Sequence, residues 1–103
     1  MLIGLTGRNA AGKGEVARYL QKKSFYYYSL SDAIRDEIRS RGEEPTRERL
    51  IIVGNELRQR FGAKVLAERT LAKIEDDKHY VIDSIRNPAE VNAFREAKHF
   101  KLL

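Results

Sequence analysis

Four groups of residues have the types and spacing to handle phosphate. The first is Gly7-Arg8-Asn9-Ala10-Ala11-Gly12-Lys13, which fits G-x-x-x-x-G-K. Glycines at those two positions let backbone N–H groups converge on phosphate oxygens, and Lys13 adds an ammonium at the start of a helix whose N-terminus is itself partly positive. The second is Asp83, which ends the apolar run Tyr80-Val81-Ile82, where a carboxylate can position magnesium near bound phosphates. Arg86 follows three residues later and can hold a phosphate bidentately. The third is Ser31-Asp32-Ala33-Ile34-Arg35, in which Asp32 opens a helix and Arg35 lies one turn on, on the same face. Together they can grip a second substrate, the acid taking hydroxyls or a base and the arginine a phosphate. The fourth is Arg58, on a helix expected to line the acceptor cleft, which reads more simply as a surface residue.

The position after the lysine, usually Ser or Thr and a magnesium ligand, is Gly14, and Glu15 follows. A carboxylate there either repels a triphosphate or holds magnesium through a water. His79 and His99 share no metal-ligand spacing and read as surface residues. Tyr26-Tyr27-Tyr28 could stack a base, but in a strand such residues more often pack the core and edge.

Positioning these groups requires alternating strands and helices. Leu2–Thr6 reads as a buried strand and Gly7–Gly14 as a loop. Val16, Ala17 and Leu20 mark an amphipathic helix running to about Lys23. Phe25–Ser29 is a second strand, and Ser31 is expected to cap a helix with the stripe Leu30, Ile34 and Ile38, ended by Gly42. Pro45-Thr46 starts a helix with Leu50, Val53, Leu57 and Phe61 on one face, and Gly62 separates it from a helix carrying Leu66, Thr70, Leu71 and Ile74. Tyr80–Asp83 is a third strand. Asn87-Pro88-Ala89-Glu90 has the form of a helix start: cap, first-position proline, and a glutamate three residues after the cap. Phe100–Leu103 begins a fourth strand. The pattern predicts an α/β fold with a parallel sheet and helices on both faces, residues 1–103 forming one domain that reads as the front part of a larger one.

Composition agrees. The chain has 103 residues with 20 Lys+Arg against 15 Asp+Glu, a formal charge of +5, and no Cys. Thiol catalysis, zinc–thiolate sites and disulfides are thereby excluded. No apolar run approaches the roughly 20 residues of a membrane span, and no signal peptide is visible, so a cytoplasmic protein without a membrane partner is expected. Twelve of the basic residues are arginine, which favours planar recognition of phosphate or carboxylate. Five bases and one acid fall between Arg8 and Lys23, so the charge is focused at the glycine-rich segment. Net charge is the sole support for a nucleic-acid binder, and no nucleic-acid partner is expected.

In this order the pieces resemble the nucleotide-kinase branch of the P-loop NTPases. Gly7–Lys13-Gly14 and Ser31–Arg35 look like the phosphate loop and acceptor-binding helix of adenylate kinase-like enzymes. Val81–Glu90 is similar to the acid-x-x-Arg segment of dephospho-coenzyme A kinases, of deoxynucleoside monophosphate kinases and of an uncharacterised archaeal family, which Glu44 through Gly62 also resembles. The resemblance implies a three-layer αβα domain, apparently truncated before the arginine-bearing lid. It also implies transfer of the γ-phosphate of ATP to a nucleoside monophosphate or similar small acceptor. Gly7, Asn9, Ala10, Ala11, Gly12, Lys13, Gly14 and Glu15 would surround the nucleotide. Lys13, Asp83 and Arg86 would act in the transfer, and Ser31, Asp32, Arg35 and Arg58 would hold the acceptor. Mg²⁺ would sit near Asp83 through water, with Glu15 as a second candidate. The alternative is a nucleotide-binding regulatory module without catalysis, of the kind found fused ahead of deaminase domains. A homodimer through the open C-terminal sheet edge is also expected.

Overall fold

A computed structural model describes residues 1–5, 13–97 and 99–102 of the chain. Among them are four strands, β1 (Leu2–Gly4), β2 (Phe25–Ser29), β3 (His79–Asp83) and β4 (Phe100–Leu102), and five helices. The helices are α1 (Lys13–Lys22), α2 (Leu30–Ser40), α3 (Arg47–Phe61), α4 (Val65–Leu71) and α5 (Pro88–Ala97). The strands form one parallel sheet in the order β2-β3-β1-β4. Leu2 pairs with Tyr80 and with Phe100, and Ser29 pairs with Asp83 at the carboxyl edge.

Side-chain alternation sorts the sheet into two unequal faces. Leu2, Tyr80 and Ile82 join the larger core, with Leu30, Ile34 and Ile38 of α2, Val53 and Leu57 of α3, Leu66 of α4 and Phe94 of α5. Leu5 and Val81 point the other way, against Val16, Ala17 and Leu20 of α1. Helices therefore cover both faces as expected, but four lie on one side and α1 alone on the other. Gly54 makes the α2–α3 contact close: a Cβ there would stand 2.9 Å from Ile34 Cδ1.

Several boundaries differ from the sequence reading. The cap of α2 is Ser29, not Ser31. Strand β2 runs into α2 without a loop, so the last strand residue takes the extended backbone of a cap (φ −111°, ψ 140°) and Ser31 becomes the second helical residue. Helix α1 starts at Lys13 rather than after Gly14. Phe61 was expected on the apolar stripe of α3 but is 53% exposed, with the Arg60 and Arg69 guanidinium groups 5.4 and 5.7 Å from its ring centre. It is the last residue of α3, and Gly62, at φ +107°, turns the chain there. Asn87, Pro88 and Glu90 do start α5: Asn87 Oδ1 accepts from Glu90 N at 2.9 Å and Glu90 Oε1 from Asn87 N at 3.3 Å.

Candidate functional site

The strand order fixes where a ligand can sit. From β1 the chain crosses by α1 to β2, outside β3; from β3 it crosses by α5 to β4, outside β1. The connections leave the adjacent strands β1 and β3 in opposite directions, and such a reversal opens a crevice at the carboxyl ends. In sequence the glycine-rich segment joins β1 to α1, and Asp83 ends β3 at the carboxyl edge. Leu5 N donates to Ile82 O at 2.8 Å, so β1 stays paired with β3 up to that edge.

Gly7, Asn9, Ala10, Ala11 and Gly12 lie outside the described residues, as does the side chain of Lys13. Gly14 is in the first turn of α1. Glu15 stands in the same turn and is exposed.

Asp83 is held from two directions. Tyr27 donates its hydroxyl to Oδ2 at 2.6 Å, and the backbone N–H of Ser84 donates to Oδ1 at 2.7 Å. Tyr27 pairs with Val81, so it and Asp83 are diagonal neighbours on one face of the sheet. Partial burial and then the bond to Asp83 raise the Tyr27 phenol well above its ordinary value, so it stays a donor. Ser84 takes a left-handed backbone (φ +65°), and its hydroxyl accepts from Ser29 Oγ at 3.0 Å. A non-glycine residue in that region is uncommon, and here it turns the chain at the sheet's carboxyl edge.

Two clefts of about 480 Å³ each meet at this edge. The more polar one is lined by Tyr27, Asp32, Arg35 and Asp83. The other has apolar walls from Leu30, Ile34, Leu50 and Ile51, with Asn55 and Arg58 at its polar side. Ser31, Ser84, Arg47 and Arg86 line both. The structure thus brings together Ser31, Asp32, Arg35, Asp83 and Arg86 from two segments, and Arg58 of α3 across the second cleft.

Three of the expected acceptor-side residues have partners within the chain. Asp32 and Arg35 engage each other at 2.9 Å, and Asp32 Oδ2 also accepts from Ser29 N at 3.2 Å, closing the α2 capping box. They line the cleft as a mutually neutralised pair. Arg58 is not a solvated surface residue: its Nε and Nη2 donate to Glu90 Oε2 at 3.3 and 3.2 Å, and Glu90 is fully buried.

Two further residues enter the site: Arg47 had not been singled out, and Tyr27 had been weighed only for stacking a base or packing the sheet. Arg47 is exposed at the first position of α3, and like Arg86 it forms no ion pair among the described residues. A cation there opposes the helix dipole, and that misfit was the available signal. Tyr27 left no signal, because its partner is 56 residues away. The two clefts carry three arginines besides Arg58 against two acids.

No group of three or more His, Cys, Asp or Glu able to hold a metal alone occurs among the described residues. A single strand-end carboxylate suits magnesium, which keeps several waters and shares its shell with substrate phosphates. No helix among the described residues is long and apolar enough to cross a membrane.

The fold and edge define a parallel α/β domain with a ligand crevice at its topological switch point. No protein-family model matches the chain. It is similar to archaeal proteins designated UPF0200. The protein from Methanothermobacter thermautotrophicus is 37% identical over 98 residues, covering 93% of this chain and 49% of that protein. Those of Thermococcus kodakarensis and Methanothrix thermoacetophila are each 35% identical, over 101 and 103 residues, covering 94% and 99% of this chain and 55% and 57% of those proteins. The chain spans about half the length of the curated relatives it matches. Their names state no activity.

Proposed function

We propose that the chain is the nucleotide-binding part of a P-loop phosphotransferase that moves the γ-phosphate of ATP to a nucleoside monophosphate or similar small phosphorylated acceptor. One observation carries the reading: β1, which leads into the G-x-x-x-x-G-K segment, lies beside β3, which ends on Asp83. Such transfer needs positioning and charge neutralisation more than covalent help. Lys13 and the loop amides would hold the β- and γ-phosphates. Mg²⁺ would be held by Asp83 largely through water, supplying neutralisation of phosphate charge, and the Tyr27 and Ser84 donors keep that carboxylate aimed. Arg47 and Arg86 would take the acceptor's phosphate and the apolar-walled cleft its body. The Asp32–Arg35 pair would open or be shared on binding. A cytoplasmic location and a homodimer through the sheet edge are part of this reading.

A second reading, a nucleotide-binding module without transfer, is favoured by Gly14-Glu15 and by the engagement of Asp32 with Arg35. Calorimetric titration of the chain with ATP, with and without magnesium, against Lys13→Ala tests the shared claim. Heat that vanishes in the variant is expected; no heat from a folded wild type overturns both readings. Label moving from γ-labelled ATP to a monophosphate, and lost in Arg86→Ala, distinguishes the first from the second.

A further inference from the structure

Glu90 is an acid with no exposed surface, in the first turn of α5. As a capping residue it needs only the backbone N–H of Asn87. It does more than that. Oε1 also accepts from the backbone N–H of Arg86, at 2.7 Å the shortest of its contacts, and Oε2 accepts twice from Arg58. One carboxylate therefore fixes the peptide that carries Arg86 and the guanidinium of Arg58, which reaches it from the last turn of α3, 32 residues away. Both arginines line the apolar-walled cleft. Arg58 spends Nε and Nη2 on Glu90, which leaves Nη1 without a hydrogen-bond partner among the described residues.

We propose that Glu90 is a positioning residue for anion binding, setting the place of Arg86 through its backbone and of Arg58 through its side chain so that both arginines face one anionic group. A buried carboxylate is costly unless paired and hydrogen-bonded, and here three of the four bonds it accepts come from residues that line the cleft. Arginine loses side-chain entropy on binding, and that loss shrinks when its backbone and its neighbour are already fixed. The proposal rests on the reading that this cleft takes a phosphate-bearing acceptor.

The test is titration with inorganic phosphate, followed by the NMR shifts of the Arg86 and Asn87 amides and the Arg58 Nε–H. Wild type, Glu90→Gln, Arg86→Ala and the double variant are compared below their unfolding midpoints. Glu90→Gln is expected to weaken phosphate binding five- to tenfold while folded. In the double variant the loss is expected to fall short of the product of the two single losses, because only the part that acts through Arg58 remains, a non-additivity that a general loss of stability does not produce. Wild-type affinity in folded Glu90→Gln overturns the positioning role and leaves the acceptor reading standing. Wild type without a phosphate-dependent shift at Arg86 overturns the acceptor reading and the proposal with it. If Glu90→Gln does not fold, the pair Arg58→Met/Glu90→Gln removes both charges together and is expected to show at least the same loss. Unchanged affinity in that pair overturns the proposal.

Discussion

The buried carboxylate of Glu90 accepts from both Nε and Nη2 of Arg58, at 3.3 and 3.2 Å, and so fastens the first turn of α5 to the last turn of α3. Removing one member leaves the other without its counter-charge. Arg58→Ala strands an acid with no exposed surface, and such losses cost about 3–5 kcal/mol in full burial. Arg58 keeps 22% of its side-chain exposure, so water can reach the gap and about 3 kcal/mol is expected. Urea unfolding measures it, and a loss below about 1 kcal/mol would show that the pair contributes little to holding the fold.

Tyr27 and Asp83 give the alkaline limb of stability. The raised phenol of Tyr27 binds its proton more tightly folded than unfolded, and Tyr28 is raised as well, first by burial. Their contribution is complete below the ordinary value of 10.0 and is lost as pH rises beyond it, because the unfolded chain ionises first. Stability is expected to fall from about pH 10 upward, and less steeply in Tyr27→Phe. Absorbance titration of tyrosinate in the folded protein checks it: two of five tyrosines should ionise later than the rest.

Glu37 sets part of the acid limb. It accepts from Arg69 at 2.8 Å and from Arg41 at 3.0 Å, and these bonds, Arg69's first, hold its carboxyl below the ordinary value of 4.5. The stabilisation is present above pH 4.5 and disappears as pH falls through the lowered value. Glu37→Gln is expected to be less stable than wild type at neutral pH and to converge with it in acid. Parallel stability curves down to the lowest accessible pH would contradict the assignment.

Arg47 separates binding from folding. It is exposed, forms no ion pair among the described residues and opposes the α3 dipole, so Arg47→Ala should change stability by no more than about 0.5 kcal/mol. A charged hydrogen bond to a bound phosphate is worth about 1.5–3 kcal/mol, which corresponds to an acceptor affinity lower by roughly 10- to 100-fold. Calorimetry with nucleoside monophosphates reads the second effect and thermal unfolding the first. Equal monophosphate affinity in the variant and wild type would remove Arg47 from the site.

Features enforced by residues close together in the chain are legible before folding is considered. The span of β2, the Thr46 cap of α3, the turn at Gly62 and the reciprocal Asn87–Glu90 start of α5 all follow from side chains and backbone within four residues of one another. The alternation of strands and helices implied a parallel sheet, and adjacency of Asp83 to Arg86 was readable as spacing. Even locally, one competition was lost: Ser29 and Ser31 can both cap, and only the direct passage of β2 into α2 selects Ser29.

Tertiary structure decided the rest. The order β2-β3-β1-β4 places Tyr27 against Asp83 across 56 residues, and the packing of α3 and α5 on α4 brings Arg58 to Glu90 across 32. It also put four helices on one face and α1 alone on the other. These contacts depend on which surfaces exclude water together once the chain has closed on itself. Burial then makes a carboxylate such as Glu90 take donors beyond its Asn87 cap, and no property of the residue types or their spacing singles out Arg58 as one of them.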